Sequence, residues 1–339
     1  MQRGQPDMDA DKDTKTDKRQ VAQASARRAP GFGLGFGLLG TTNTAPIDDE
    51  QAQAIFASAR ELGIVRFDTA PLYGGGLSEV RLGRLLRGVP RKDYVLSSKV
   101  GRYRPYAADV TDPKANAGDT HDYSRDATLR SIERSLHRLG TDRLDIVFIH
   151  DCEAHLDEAA NGAWVALFRL REEGVIGRIG CGSNLAATHE GLLDRVELDV
   201  LMVANCCSLL DASALHGLFP RCRALGVEVE VAAPFSSGIL ATGPDVPDAR
   251  FDYRVADEAV RARVRRIERQ CLAHGVSLRR AALHYAQRHP VVSRLILGLV
   301  APDGLRGNQA DLQAEVPEGL WDSLRACGIP DPLRQDDMP

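Results

Sequence analysis

At 339 residues and 36.9 kDa, the chain is long enough for one large α/β domain or two small ones, and a single barrel of about 250 residues with extensions fits. A formal net charge of −4 and a pI near 6.2 leave no basic footprint for nucleic acid or an anionic membrane, so small molecules are the expected partners. Seven cysteines without a CxxC motif are not the framework of a small secreted domain, and no apolar run reaches the roughly 20 residues of a membrane helix, so a reducing cytoplasm is the expected location.

Residues 1–30 alternate charges with small polar side chains and are expected to be a disordered tail. Arg27-Arg28 suggests an export signal, but GFGLGFGLLG follows with a glycine at nearly every second position and offers no helical apolar region. Residues 31–330 are expected to form one domain, and 331–339 a flexible C-terminal tail. Within the domain, strands are predicted at 32–37, 64–68, 94–99, 144–150, 175–181, 200–205, 227–233 and 294–299. Helices are predicted between them at 48–62, 78–87, 126–139, 162–173, 186–196, 212–225 and 256–274, from apolar residues at i, i+3 and i+4. Alternating β and α argues for a parallel sheet, and eight strands are the number that closes a (β/α)8 barrel. VLSSKV, DIVFIH and LILGLV are nearly continuous apolar runs, as expected of strands covered on both faces. Asp48 or Asp49 can cap the first helix, and Gly63, Gly140, Gly174 and Gly226 sit where helices should stop. Two long connections, 103–125 and 236–255, are expected to be flexible loops over the barrel mouth.

The chemistry gathers at strand ends. Asp68 ends the second strand, Lys99 the third and His150 the fourth, while Tyr73 lies in the loop just beyond Asp68. Singly, each has a plain structural reading: an Asx turn, a loop aromatic, a strand-edge charge, a satisfied core histidine. Together, at matched strand ends over one mouth, they form a site capable of proton transfer at a carbonyl or carbinol. Lys99 sits in an apolar strand, where a charge needs a partner, and Asp68 is the natural one. An ammonium close to Tyr73 would favour the phenolate and lower the phenol's usual value of about 10, while His150 would orient the substrate oxygen. Hydride would come from, or go to, a cofactor.

Two rival patterns are weaker. Gly35-x-Gly37-x-x-Gly40 matches a dinucleotide fingerprint, but TTNTAP separates it from the next helix, whereas the fingerprint turns directly from strand into helix. His150, Asp151, Cys152 and His155 are spaced too irregularly for a common zinc site, so no metal is expected.

GIVRFDTAPLYGGGLSEVRLG, the strand ending SSKVGR and LDIVFIHD, in that order, closely resemble the aldo-keto reductases, and the likeness runs from about Gly33 to Ile329. The resemblance implies a (β/α)8 barrel, a nicotinamide cofactor (NAD or NADP), and a catalytic set on Asp68, Tyr73, Lys99 and His150. It places cofactor contacts on Gly37, Leu38, Ser183 and Asn184; on Pro234, Phe235, Ser236, Ser237, Gly238 and Leu240 after strand seven; and on Gly298, Arg306 and Asn308. DYSRD, GVIGRIGCG and FDY look most like a bacterial branch of aldose and pyridoxal dehydrogenases, which implies oxidation of a lactol or hemiacetal to a lactone with Tyr73 as base. A reductase of broad aldehyde and ketone specificity, or a cofactor-binding sensor with little turnover, would share this set. Two departures stand out. Ala204 and Cys207 replace a glutamine and an aromatic that often stacks on the nicotinamide. Val300 replaces a basic residue beyond Gly298, which leans the cofactor towards NAD, with Arg306 and Asn308 in the last helix left to hold the adenosine end. Tyr103, Tyr106, Tyr123, Phe251 and Tyr253 are candidates either for a substrate wall or for packing of the two loops.

Overall fold

The computed structural model describes residues 31–37, 47–103, 119–298 and 301–334. The 1–30 tail, Leu38, Tyr106 and Val300 lie outside the described residues. Eight strands, β1 (Phe32–Gly35), β2 (Arg66–Asp68), β3 (Val95–Val100), β4 (Leu144–His150), β5 (Ile176–Ser183), β6 (Val200–Ala204), β7 (Glu228–Ala232) and β8 (Val292–Gly298), close into one barrel in the order β1-β8-β7-β6-β5-β4-β3-β2. Every neighbouring pair is parallel, as strict alternation with helices requires.

Period-two alternation divides the core in two. Outward residues such as Phe67, Leu96, Val147, Leu201, Val229 and Leu295 pack under the helices in the main cluster. Inward residues Ile146, Phe148, Val200, Met202 and Ile296 plug the barrel interior. The helices are α1 (Asp49–Glu61), α2 (Leu77–Leu85), α3 (Arg125–Leu139), α4 (Trp164–Glu172), α5 (Ala186–Leu193), α6 (Leu218–Leu225), α7 (Glu258–Ala273), α8 (Leu278–Gln287), α9 (Pro302–Gln313) and α10 (Glu318–Ala326). At the start of α1, Asp48 accepts from the Gln51 amide at 2.8 Å while Gln51 Oε1 accepts from the Asp48 amide at 3.0 Å, a reciprocal cap. The helix then buries Ala52, Ile55, Phe56 and Ala59, one face at helical spacing.

The structure corrects several expectations. The 212–225 helix is split into a short turn at Ser213–Leu215 and α6, because Gly217 takes a φ of 82° and Pro220, lacking an N–H, is accommodated only in a first turn. The 162–173 helix is extended at its start by Leu156–Glu158 and a wide turn at Ala159–Ala163. Two helices, α8 and α10, go unpredicted, so Arg306 and Asn308 lie in α9 and not in the last helix. The 236–255 connection is no plain loop: it carries Ser236–Gly238, the short helix Ile239–Thr242, and a two-stranded hairpin of Arg250–Phe251 with Arg254–Val255. Arg102–Tyr103 and Thr120–His121 likewise pair as a small antiparallel ribbon on the β3 side of the mouth. Residues 331–334, expected in a flexible tail, are tied down, since Asp331 is buried and accepts from Arg288 Nε at 2.7 Å.

Close packing at the mouth depends on Gly101, which follows β3 with a φ of +93°. A Cβ there would lie 2.0 Å from the Tyr123 ring. Gly101→Ala is therefore expected to destabilise the fold by about 3 kcal/mol or more, combining an unfavourable positive φ with overpacking. Urea denaturation of the variant tests this, and an unchanged midpoint would refute it.

Candidate active site

Strand parity sets the site. On β2 Arg66 and Asp68 face the barrel interior, on β3 Ser97 and Lys99, on β4 Phe148 and His150, and the register Asp68↔Ser97 and Lys99↔Phe148 keeps them level. Lys99 Nζ donates to Asp68 Oδ2 at 2.5 Å and to the Thr69 carbonyl at 2.9 Å, and both side chains of the ion pair are nearly fully buried. The pairing expected between Asp68 and Lys99 is thus formed.

Tyr73 lies where the chain leaves β2, at the head of the turn Tyr73–Gly76. Lys99 Nζ sits 4.9 Å from its ring centre, and the His150 ring meets it edge-on at 6.0 Å. The four predicted residues therefore come together over the interior plug, where Lys99 also lies 6.0 Å from the Phe148 ring.

The electrostatics differ from expectation at one point. Burial pushes the Tyr73 phenol above its ordinary value, and the pull of Lys99 in the other direction does not overcome it. At neutral pH Tyr73 is therefore a protonated phenol. For Lys99, burial works against the charge, but Asp68 and Tyr73 outweigh it and raise the ammonium above the usual lysine range. His150 is held well below the usual histidine range by burial and then by the charges of Lys99 and Arg102, so its imidazole is neutral at neutral pH. Its Nδ1 has no hydrogen-bond partner among the described residues, and its Nε2 stands 3.5 Å from Asp151 Oδ2.

Several residues contribute in roles that the sequence reading did not give them. Asp151, with a φ of +47°, pairs with Arg102, which also reaches Asp119 at 2.5 Å and so ties the ribbon to the rim beside His150. Tyr123, a candidate for the substrate wall or for loop packing, is fully buried and packs: its Oη donates to the His150 carbonyl at 2.6 Å and lies 2.7 Å from that of Asp151, holding the turn that presents the imidazole. Beneath Asp68, Ser97 Oγ donates to Oδ1 at 2.5 Å and accepts from Arg66 Nη1 at 2.9 Å, while Arg66 forms a two-point pair with Glu230 across the barrel. The signal for Glu230 is present in EVEVA, where alternation puts glutamates on the face opposite the valines.

The remaining predicted residues fall into three groups. Ser183 ends β5, and Asn184 just beyond it accepts from Asn205 Nδ2 at 2.7 Å and from Tyr253 Oη at 3.3 Å. Tyr253, at the tip of the hairpin, is 63% exposed and its amide donates to Ser237 Oγ at 3.0 Å, so the hairpin leans on the loop after β7. In that loop Ser236, Ser237 and Gly238 all take positive φ, whereas Pro234 and Leu240 are buried and Phe251 packs on the core. Gly298 ends β8 against Gly35 of β1. Arg306 and Asn308 are not brought together, because residues two apart on a helix point to different sides. Arg306 is exposed and paired with Glu61 at 3.1 Å, while Asn308 is buried with no partner for Nδ2 among the described residues.

Cys207, expected at a stacking position, is not part of the mouth. Its Sγ points at the Ala286 carbonyl of α8 at 3.9 Å, and burial pushes the thiol far above its usual range, which leaves it inert. All seven cysteines are free. No described helix is long and apolar enough to cross a membrane.

The sequence profile of the Aldo/keto reductase family matches residues 33–329. The chain is 35% identical to the D-threo-aldose 1-dehydrogenase of a Pseudomonas species over 92% of its own length and 98% of that protein. It is 32% identical to the pyridoxal 4-dehydrogenase of Microbacterium luteolum, over 91% and 98% of the two chains. Among solved structures, an aldo-keto reductase of Bacillus halodurans in its holo form superposes with a TM-score of 0.71 at 26% identity, covering 92% of this chain and 99% of that one. Agreement over nearly the whole barrel leaves one assignment: the chain belongs to the aldo/keto reductase family, as an NAD(P)-dependent oxidoreductase.

Proposed function

We propose that the enzyme oxidises an aldose at its anomeric carbon, or a pyridoxal-like aldehyde in its hemiacetal form, to a lactone, with L-fucose and pyridoxal as representative donors. One observation carries the reading: a single phenol, Tyr73, stands between a charged ammonium, Lys99, paired with Asp68, and a neutral imidazole, His150. In this reading Tyr73 takes the proton of the lactol hydroxyl, Lys99 stabilises the phenolate that must first form, and His150 hydrogen-bonds the same oxygen and fixes its orientation. The bound nicotinamide supplies the acceptor for the hydride that leaves the same carbon. The relatives named as aldose and pyridoxal dehydrogenases support this substrate class.

The residues proposed to hold the cofactor fit a dinucleotide. Gly37 leaves open the space beside the phenol, where a Cβ would only touch the Tyr73 ring at 3.6 Å. Asn184 offers a carboxamide complementary to that of nicotinamide, next to Ser183. Ser236, Ser237 and Gly238 offer a glycine- and serine-lined turn for phosphates, flanked by Pro234, Phe235 and Leu240. Gly298 and Asn308, whose Nδ2 has no partner among the described residues, lie on the β8 side, and Leu38 is outside the described residues. Arg306 is already engaged by Glu61 at 3.1 Å, with Asp303 at 3.9 Å, so a 2′-phosphate would have to compete with two carboxylates for it, which supports NAD over NADP. The free thiols accord with action in a reducing cytoplasm.

A second reading, NAD(P)H-dependent reduction of aldehydes and ketones, draws on the protonated phenol, which is ready to donate. Initial rates of reduced-nicotinamide formation from NAD and from NADP, with L-fucose, related aldoses and pyridoxal, separate the two. Turnover with NAD is expected. A preference for NADP would remove the cofactor assignment, and activity confined to aldehyde reduction would replace the dehydrogenase by the reductase.

A further inference from the structure

Beneath the site lies a pair of charges that the reaction does not touch. Arg66 and Glu230 are both almost fully buried, and they meet across the barrel interior through Nε to Oε1 at 2.8 Å and Nη2 to Oε2 at 2.7 Å. Room has been made for this arginine: a Cβ on Gly33 would lie 2.6 Å from Arg66 Cγ. The guanidinium has two further bonds, from Nη1 to the Phe67 carbonyl at 2.7 Å and to Ser97 Oγ at 2.9 Å.

The last bond fixes the direction of the Ser97 proton above it. A guanidinium can only donate, so Ser97 Oγ must accept from Arg66. The one hydroxyl proton of Ser97 is then directed to Asp68 Oδ1 at 2.5 Å, which must accept and so carries no proton on that oxygen. Oδ2 accepts from Lys99 in turn, and Lys99 spends a second proton on the Thr69 carbonyl. Its third proton is left for the Tyr73 side. The donors thus converge on Asp68, the guanidinium acting through Ser97 on Oδ1 and the ammonium directly on Oδ2, and the carboxylate so held fixes where the remaining Lys99 proton can point.

We propose that Arg66, seated by Glu230, is a positioning residue that acts through Ser97 to hold the Asp68 carboxylate in the one orientation that keeps Lys99 charged and aimed at Tyr73. Arg66 touches neither substrate nor cofactor in this role. The proposal rests on the reading of Tyr73 and Lys99 given above for its effect on turnover, but not for its effect on Lys99 itself.

The test exploits the composition of the chain. Of its six lysines only Lys92 and Lys99 fall among the described residues, and Lys92 is exposed. In protein carrying isotopically labelled lysine, the Lys99 ammonium should give a slowly exchanging signal, assigned by its loss in Lys99→Met. Ser97→Ala removes the link without removing a charge, and should speed exchange of that ammonium by about ten-fold, the size of one hydrogen bond to a charged group, and lower kcat by a similar factor. Ser97→Thr, which keeps the hydroxyl, should restore both. Leu96→Val, on the outward face of the same strand, perturbs the core without reaching the site, and should leave the Lys99 signal alone. Arg66→Met combined with Glu230→Gln removes the pair without leaving a buried charge unmatched, and Ser97→Ala should then add little.

Unchanged exchange in Ser97→Ala, equal acceleration in Leu96→Val, or full additivity with the double variant would each overturn the proposal. So would absence of a slow Lys99 signal in the parent protein. A parent protein with a slow Lys99 signal but no turnover of any donor would instead overturn the reading of the reaction, and the exchange measurement would still decide the role of Arg66.

Discussion

Replacing Tyr73 with phenylalanine is expected to lower kcat by roughly 10²–10⁴-fold while cofactor affinity changes little. The substitution keeps the ring, and with it the edge contact to His150 and the packing over Lys99, so only the hydroxyl is lost. The Asp68–Lys99 pair stays intact, because the Lys99 bonds to Asp68 Oδ2 and to the Thr69 carbonyl do not use the phenol. Burial raises the phenol above its ordinary value, so Tyr73 is protonated at neutral pH. In the oxidative direction that proton must leave before the phenolate can act as base, and the rate should therefore climb with pH until the phenol titrates. The reductive direction, in which Tyr73 donates, should lose rate over the same rise. Both limbs should vanish in Tyr73→Phe. A variant that keeps substantial turnover, or keeps either limb, would remove Tyr73 from the proton-transfer role.

Lys99→Met is expected to damage both activity and stability. It leaves Asp68 buried with the Ser97 hydroxyl as its side-chain partner among the described residues, and an uncompensated buried charge costs about 3–5 kcal/mol. The folded-state value of Lys99 lies above the ordinary 10.5. The stabilisation it provides is therefore complete below the unfolded value and lost only as the pH rises through the higher folded one, so the difference between parent and variant should be full at neutral pH and shrink in strong alkali. Urea denaturation measures the loss, and initial rates should show turnover falling with it. The double variant Asp68→Asn, Lys99→Met removes the unmatched charge and should recover most of the stability but none of the turnover. A single variant as stable as the parent would mean that the pair is not the buried contact described.

Much of this site is legible in one dimension because strand parity is local. Asp68, Lys99 and His150 each close an apolar strand, and once the strands are parallel and level, period two alone turns all three into one interior. The same logic reaches Glu230 through the alternation of EVEVA, although its partner Arg66 is 164 residues away in the chain and no local pattern joins them. Helices α8 and α10 carry readable signals too, such as the Ser277 cap on Arg280 at 3.2 Å, yet an eightfold repeat of strand and helix has no place reserved for them. Their need arises only from the apolar surface they cover, including Tyr285 and Trp321, whose rings lie 6.5 Å apart.

The sequence by itself determined the barrel, the strand that carries each of Asp68, Lys99 and His150, and the pairing of Lys99 with Asp68, because hydrophobic periodicity and the cost of an unpaired buried charge act over short stretches of chain. Tertiary structure alone decided the sign of the shift at Tyr73, the removal of Cys207 from the mouth to the underside of α8, the separation of Arg306 from Asn308, and the guanidinium beneath Asp68. Each of these depends on what burial excludes and on which distant side chain fills the space, and both are properties of the packed barrel that no single segment contains.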